Sequence, residues 1–110
     1  MPSQSCYPEK APAIDKLLDT LSNHLRRQVI DYFENHTQSR TASLDELVVY
    51  VERQVPSEGH EQLKLNLIHV HLPELAERGW IDYDRQDYQI HYNGHENADR
   101  WLREVRSVFL

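Results

Sequence analysis

The sequence predicts a mainly α domain with one small β-hairpin, an α+β fold. Three observations carry that expectation. Apolar residues recur at helix spacing from residue 13 to about residue 78, the helical pattern stops at Gly79, and two short alternating segments follow. A final amphipathic stretch closes the chain. Its 110 residues fit one small domain, large enough to bury a core with little to spare.

Residues 1–12, MPSQSCYPEKAP, lack periodicity and carry three prolines, which reads as a flexible arm. From Ala13, residues Ile14, Leu17, Leu18 and Leu21 recur at helix spacing. Ser22-Asn23 can cap a new turn. Leu25, Val29, Ile30 and Phe33 then continue the stripe to about Asn35, as one long helix or as two with a kink at Ser22-Asn23. Residues 36–42 read as a polar loop. Ser43, with Glu46 three residues on, matches a capping box. Leu44, Leu47, Val48 and Val51 then form a compact helix ending near Gln54. Pro56 and Gly59 punctuate the next turn.

A third helix starts near Ser57 to His60 and runs to about Arg78. Its main stripe is Leu65, Ile68, Leu72, Leu75 and Ala76; a second is Leu63, Leu67 and Val70. Pro73 inside it predicts a kink or local break, and Gly79 is a suitable C-terminal cap. Ile81 and Tyr83, then Tyr88, Ile90 and Tyr92, alternate as half-buried strands do, with Asp84-Arg85-Gln86-Asp87 as the turn. Asn93 with Glu96 resembles a further capping box. The last helix sets Ala98, Trp101, Leu102, Val105, Val108 and Phe109 on one face.

Three helices, a tight stop and a hairpin form the order in which a winged helix-turn-helix presents its recognition helix and wing. The expected architecture is that domain over residues 13–92, with an extra C-terminal helix over residues 93–110. Particular residues carry a resemblance as well. Leu21 to Phe33 resembles the first core helix of archaeal winged-helix regulators, and Ser43 to Leu47 their second helix. His71-Leu72-Pro73-Glu74-Leu75, followed by Gly79 and Asp82-Tyr83-Asp84, resembles a haloarchaeal winged-helix domain family of uncharacterised function with the signature HLPxLxxxGxxDYD. More distantly the chain is similar to arsenic-repressor-type regulators. The resemblance covers roughly residues 14–92 and implies the fold; regulation follows only by analogy. Glu74 stands where that family often has a basic residue. The cysteine pattern of the arsenic-type repressors is absent, so metal sensing does not carry over.

Charge argues against a simple nucleic-acid binder. The net charge is −6, and the most basic stretch, residues 22–40, reaches only +1. Lysine is confined to Lys10, Lys16 and Lys64. An acidic, lysine-poor surface suits a halophile's cytoplasm. No run is long and apolar enough for a membrane span, and the N-terminus lacks a signal-peptide pattern, so a cytoplasmic protein is expected. Cys6 is the only cysteine, which excludes an intrachain disulfide and a multi-thiolate zinc site.

The seven histidines lack metal-ligand spacing; His69 and His71 fall on different helical faces. Surface or structural roles are expected for them, with no metal and no cofactor. No nucleophile elbow or glycine-rich phosphate loop is present, and the paired Asp82 and Asp84 fit a solvated hairpin face, so no enzyme activity is expected. Outside its apolar stripes, the third helix leaves His60, Lys64, His71, Glu74 and Arg78 on one side. This is the candidate DNA-reading face, with Arg85 at the hairpin tip and Arg40 as a backbone contact. Arg26 and Arg27 could join it, or pair on the helix surface with Asp31 and Glu34. The bland alternative is the solvated face of an amphipathic helix.

The terminal stripe, with Trp101, Leu102, Val105, Val108 and Phe109, is expected to pair with a second copy; otherwise it folds back over Leu17, Leu18 and Leu21. Double-stranded DNA is thus the expected partner of a homodimeric transcriptional regulator. The rival is an interaction module that keeps the winged fold without DNA affinity. The sequence names no small-molecule ligand.

Overall fold

The computed structural model describes residues 15–96 and 98–109. The arm read at residues 1–12 lies outside the described residues. The chain is mainly α with a small antiparallel sheet. Helix α1 is described over residues 15–22, followed by α2 (His24–Asn35), β1 (Thr41–Ser43) and α3 (Leu44–Gln54). A long helical rod comes next, composed of α4 (His60–Asn66), a π-helical turn (Leu67–His71) and α5 (Leu72–Glu77). Strands β2 (Ile81–Asp84) and β3 (Gln89–Tyr92) and helix α6 (Ala98–Phe109) complete it.

The breaks fall where local chemistry puts them. The Asn23 side chain accepts from the Leu25 and Arg26 amides at 2.9 and 3.2 Å, so α1 and α2 are two helices with a kink between. Arg26 and Arg27 do not pair with Asp31 and Glu34. They turn back and donate to the carbonyls of Asp19, Thr20 and Leu21, which satisfies the unpaired C-terminal end of α1. The Ser43 hydroxyl accepts from the Glu46 amide at 3.1 Å and starts α3. At the end of α5, the Gly79 amide donates to Ala76 and the Trp80 amide to Leu75, a Schellman closure with Gly79 at φ 83°.

The sheet corrects the sequence reading in two places. Residues 41–43, read as the end of a polar loop, form an edge strand. Thr41, Ala42 and Ser43 pair with His91, Ile90 and Gln89, in a sheet ordered β1-β3-β2. Three residues with one apolar side chain carry no strand signal of their own; pairing with β3 makes the strand. Tyr88, read as a strand residue, instead closes the hairpin turn at φ 53° and is exposed. Asp84 accepts from the amides of Gln86 and Asp87, which opens the turn and delays β3 to Gln89. Asn93 and Glu96 are not helical, and α6 is described from Ala98.

Ala42, Ile81, Ile90 and Tyr92 send the inner face of the sheet onto the core. Phe33 of α2 stacks flat on Tyr92, with centroids 5.1 Å apart, and the Tyr92 hydroxyl donates to Glu34 at 2.6 Å. Helix α6 packs on α2, burying Ala98 and Leu102 in the same core. Asp31 joins three elements. It is 2 % exposed and accepts from Tyr50 at 2.6 Å and Asn35 at 2.8 Å, with Arg106 of α6 at 3.1 Å and His36 at 3.2 Å.

Candidate functional site

The rod from His60 to Glu77 is the candidate reading element, and its π turn decides which face it shows. In an uninterrupted α-helix, Leu63 and Leu67 would share a face with Val70 and Glu74. A π turn takes five residues per hydrogen-bonded step; here the Leu72 amide donates to the Leu67 carbonyl. Pro73, lacking an N–H, follows at once. The inward face therefore runs Leu63, Leu67, Leu72 and Leu75, all buried. One residue from each expected stripe is turned out instead: Leu65 is 47 % and Val70 46 % exposed. The expected kink at Pro73 takes the form of this widened turn just before it.

Burial overturns one candidate. His71, read as exposed, is 8 % exposed and faces inward, and its Nδ1 has no hydrogen-bond partner among the described residues. Burial and then the Arg26 guanidinium hold its pKa below the ordinary value, against the pull of Glu58 and Glu74. A buried imidazole there cannot touch a groove.

The remaining candidate cations divide. Arg78 is an internal clamp: it meets Asp19 at 2.6 Å and Glu74 at 3.2 Å and donates to the buried Thr20 hydroxyl, tying α5 to α1. Arg40 lies over the Tyr92 ring and donates to the Tyr92 and Asn93 carbonyls. His60 pairs with Glu52 at 2.9 Å, both half exposed. Lys64 is held more loosely, 3.7 Å from an Asp45 whose side chain is 87 % exposed. Such a solvated pair is worth at most about 1 kcal/mol, so Lys64 can swing to another anion. Arg85 is exposed in the hairpin turn, with Asp84 and Asp87 beside it.

The hairpin is fixed against the rod. The Leu44 amide donates to the Tyr88 carbonyl at 2.8 Å, which latches the hairpin tip to the start of α3. Tyr88, Lys64, Ile68, Leu44 and Asp45 line one cleft of about 300 Å³. Helix, hairpin tip and the start of α3 thus share one side of the molecule. Along the rod Gln62, Leu65, Asn66 and His69 reach solvent to differing degrees, and Gln62 bonds Asn66 at 3.3 Å. The sequence reading missed these residues because it carried two unbroken stripes through the rod. Pro73 was the available signal that the phase changes.

The dimer candidates divide too. Leu102 is 1 % exposed, within the protomer's own core, because α6 folds back onto α2. It is therefore corrected from surface to core. Trp101 and Val105 are half-buried against that core. Val108 and Phe109 lie outside the described side chains. Leu17 and Leu21 are buried, while Leu18 is exposed.

Among the described residues, no three His, Cys, Asp or Glu side chains stand close enough to hold a metal ion, and no helix is long and apolar enough to cross a membrane. A family model described as "Domain of unknown function (DUF7344)" matches residues 18–91. No curated protein and no solved structure matches the chain.

Proposed function

The chain belongs to the family described as a domain of unknown function (DUF7344), and from the geometry above we propose that it is a winged helix-turn-helix regulator of transcription that binds double-stranded DNA. The observation that carries this reading is the shared cleft of Lys64, Ile68 and Tyr88, which sets the rod and the hairpin tip side by side. A DNA major groove about 12 Å wide admits a helix, and a hairpin fixed at its flank reaches the adjoining backbone. Gln62 and Asn66 supply amides of the kind that pair with adenine, Lys64 a cation that leaves Asp45 at little cost, and Arg85 a phosphate contact. His60 stands at the start of the same rod. His71, Arg78 and Arg40 support the fold instead.

The acidic neighbours Asp45, Glu61, Asp84 and Asp87 oppose phosphate, so shape and hydrogen bonds carry the affinity. Strong salt suits such a surface, since the screening length falls to about 3 Å at 1 M. Such a regulator works in the cytoplasm. Two copies meeting across the outer edge of Trp101 and Val105 would set paired helices on one DNA site.

The exposed Leu65 and Val70 favour a second reading, an interaction module that meets a protein through the same rod. Titration against genomic DNA fragments at several salt concentrations separates the two. A regulator discriminates among fragments, with a log–log salt slope of only about −2 for two phosphate contacts. Absence of binding at every salt concentration removes the DNA reading in favour of the interaction module.

A further inference from the structure

A second cavity, of about 540 Å³, opens between α2, α3 and α6 and shares no lining residue with the cleft beside the hairpin. Its size falls in the range of roughly 300–1,000 Å³ typical of metabolite sites. Its charge is unlike that of the rest of this acidic chain. Arg27 and Arg106 both line it, and Asp31 is the one carboxylate among its lining residues. Asp31 is already saturated by Tyr50, Asn35, Arg106 and His36. Arg27 donates to the Leu21 carbonyl at 2.7 Å and has no carboxylate partner among the described residues. Burial and then repulsion from Arg106 hold its pKa below the ordinary value. An anion entering here relieves that repulsion, and a guanidinium fork matches a carboxylate edge to edge.

An independent observation points to the same place. Gln28 lines the cavity, is 8 % exposed, and its side-chain carbonyl has no hydrogen-bond partner among the described residues. A buried amide oxygen left unpaired has lost its water without a replacement donor, which disfavours the empty site. The terminal torsion of glutamine is broad, so rotation about it offers that carbonyl to a donor in the cavity. The site thus asks for an anionic group and a hydroxyl in one small molecule.

We propose that this cavity binds a small hydroxycarboxylate, its carboxylate on Arg27 and the outer edge of Arg106, its hydroxyl donating to the Gln28 carbonyl. The proposal is independent of whether the domain reads DNA.

Calorimetric titration of the full chain tests it with lactate, malate and citrate, each against its deoxy counterpart propionate, succinate or tricarballylate. At least one hydroxy acid binds tenfold or more tightly than its counterpart. Arg27→Gln weakens that binding at least tenfold, and Arg27→Lys recovers part of it. Gln28→Met removes the preference for the hydroxy acid while leaving the affinity for the deoxy acid in place. Circular dichroism of each variant shows that it is folded. No heat with any of the six acids overturns the proposal. So does binding that inorganic sulfate displaces as well as the hydroxy acid does, or binding unchanged in folded Arg27→Gln.

Discussion

Leu102→Ala separates a terminal helix that belongs to its own domain from one that exists to hold a second copy. Leu102 is 1 % exposed and lies where α6 meets α2. The substitution deletes three carbons from a filled site. At about 0.8 kcal/mol per methylene, the transfer loss is about 2.4 kcal/mol. The vacated volume adds to that, because neighbours such as Ala98 and Trp101 are held by the helix and relax only in part; the total is about 3–4 kcal/mol. For a domain of this size each kcal/mol lowers Tm by roughly 4–8 °C, so the expected fall exceeds about 10 °C. Urea denaturation followed by far-UV circular dichroism reads the change as a lower midpoint at constant slope. The measurement is made at two widely separated protein concentrations. A loss confined to the protomer is the same at both. A loss below about 1 kcal/mol, or one that appears only at high concentration, refutes the account of α6 as part of the core.

Three further outcomes follow from named contacts. Asp31→Asn removes the charge that Tyr50, Asn35 and Arg106 donate to, and chemical denaturation should show a loss of about 2–3 kcal/mol at neutral pH. Burial alone would raise the Asp31 pKa, but those three donors outweigh it and hold it low. Its contribution is therefore present above about pH 4 and lost as pH falls through the folded-state value, so parent and variant should converge in acid. His71 shifts in the same direction for a different reason: burial and then Arg26 hold it below 6.5. The unfolded chain then binds more protons, and stability falls as pH drops from about 6.5 towards the folded-state value. His71→Gln should flatten that limb of the pH–stability curve, and an unchanged limb assigns it to another group. Gly79→Ala forces a side chain to φ 83° in open space, so the cost is backbone strain of about 1–2 kcal/mol, read as a lower Tm without loss of helix content.

Much of the architecture is legible in residue order, because it rests on local chemistry. Asn23 and Ser43 cap where their side chains reach the next amides, Gly79 stops the rod because it accepts a left-handed backbone, and Ile81, Ile90 and Tyr92 alternate because one sheet face is buried. These features need no knowledge of distant partners. The candidate site was legible only in outline. Its rod and its hairpin could be named, but not which side chains the rod shows. Tertiary structure decided that. The π turn before Pro73 moves the inward face from Val70 to Leu72, while His71 is buried one turn beyond Leu67 and Leu65 lies on the outer side of α4. The strand at Thr41–Ser43 exists because β3 lies beside it. Arg78, Arg40 and Arg27 look alike as sequence cations, yet one clamps α1, one covers Tyr92 and one lines a cavity. Charge in a sequence counts side chains, whereas availability depends on which carboxylates and carbonyls the fold brings within hydrogen-bonding distance of them.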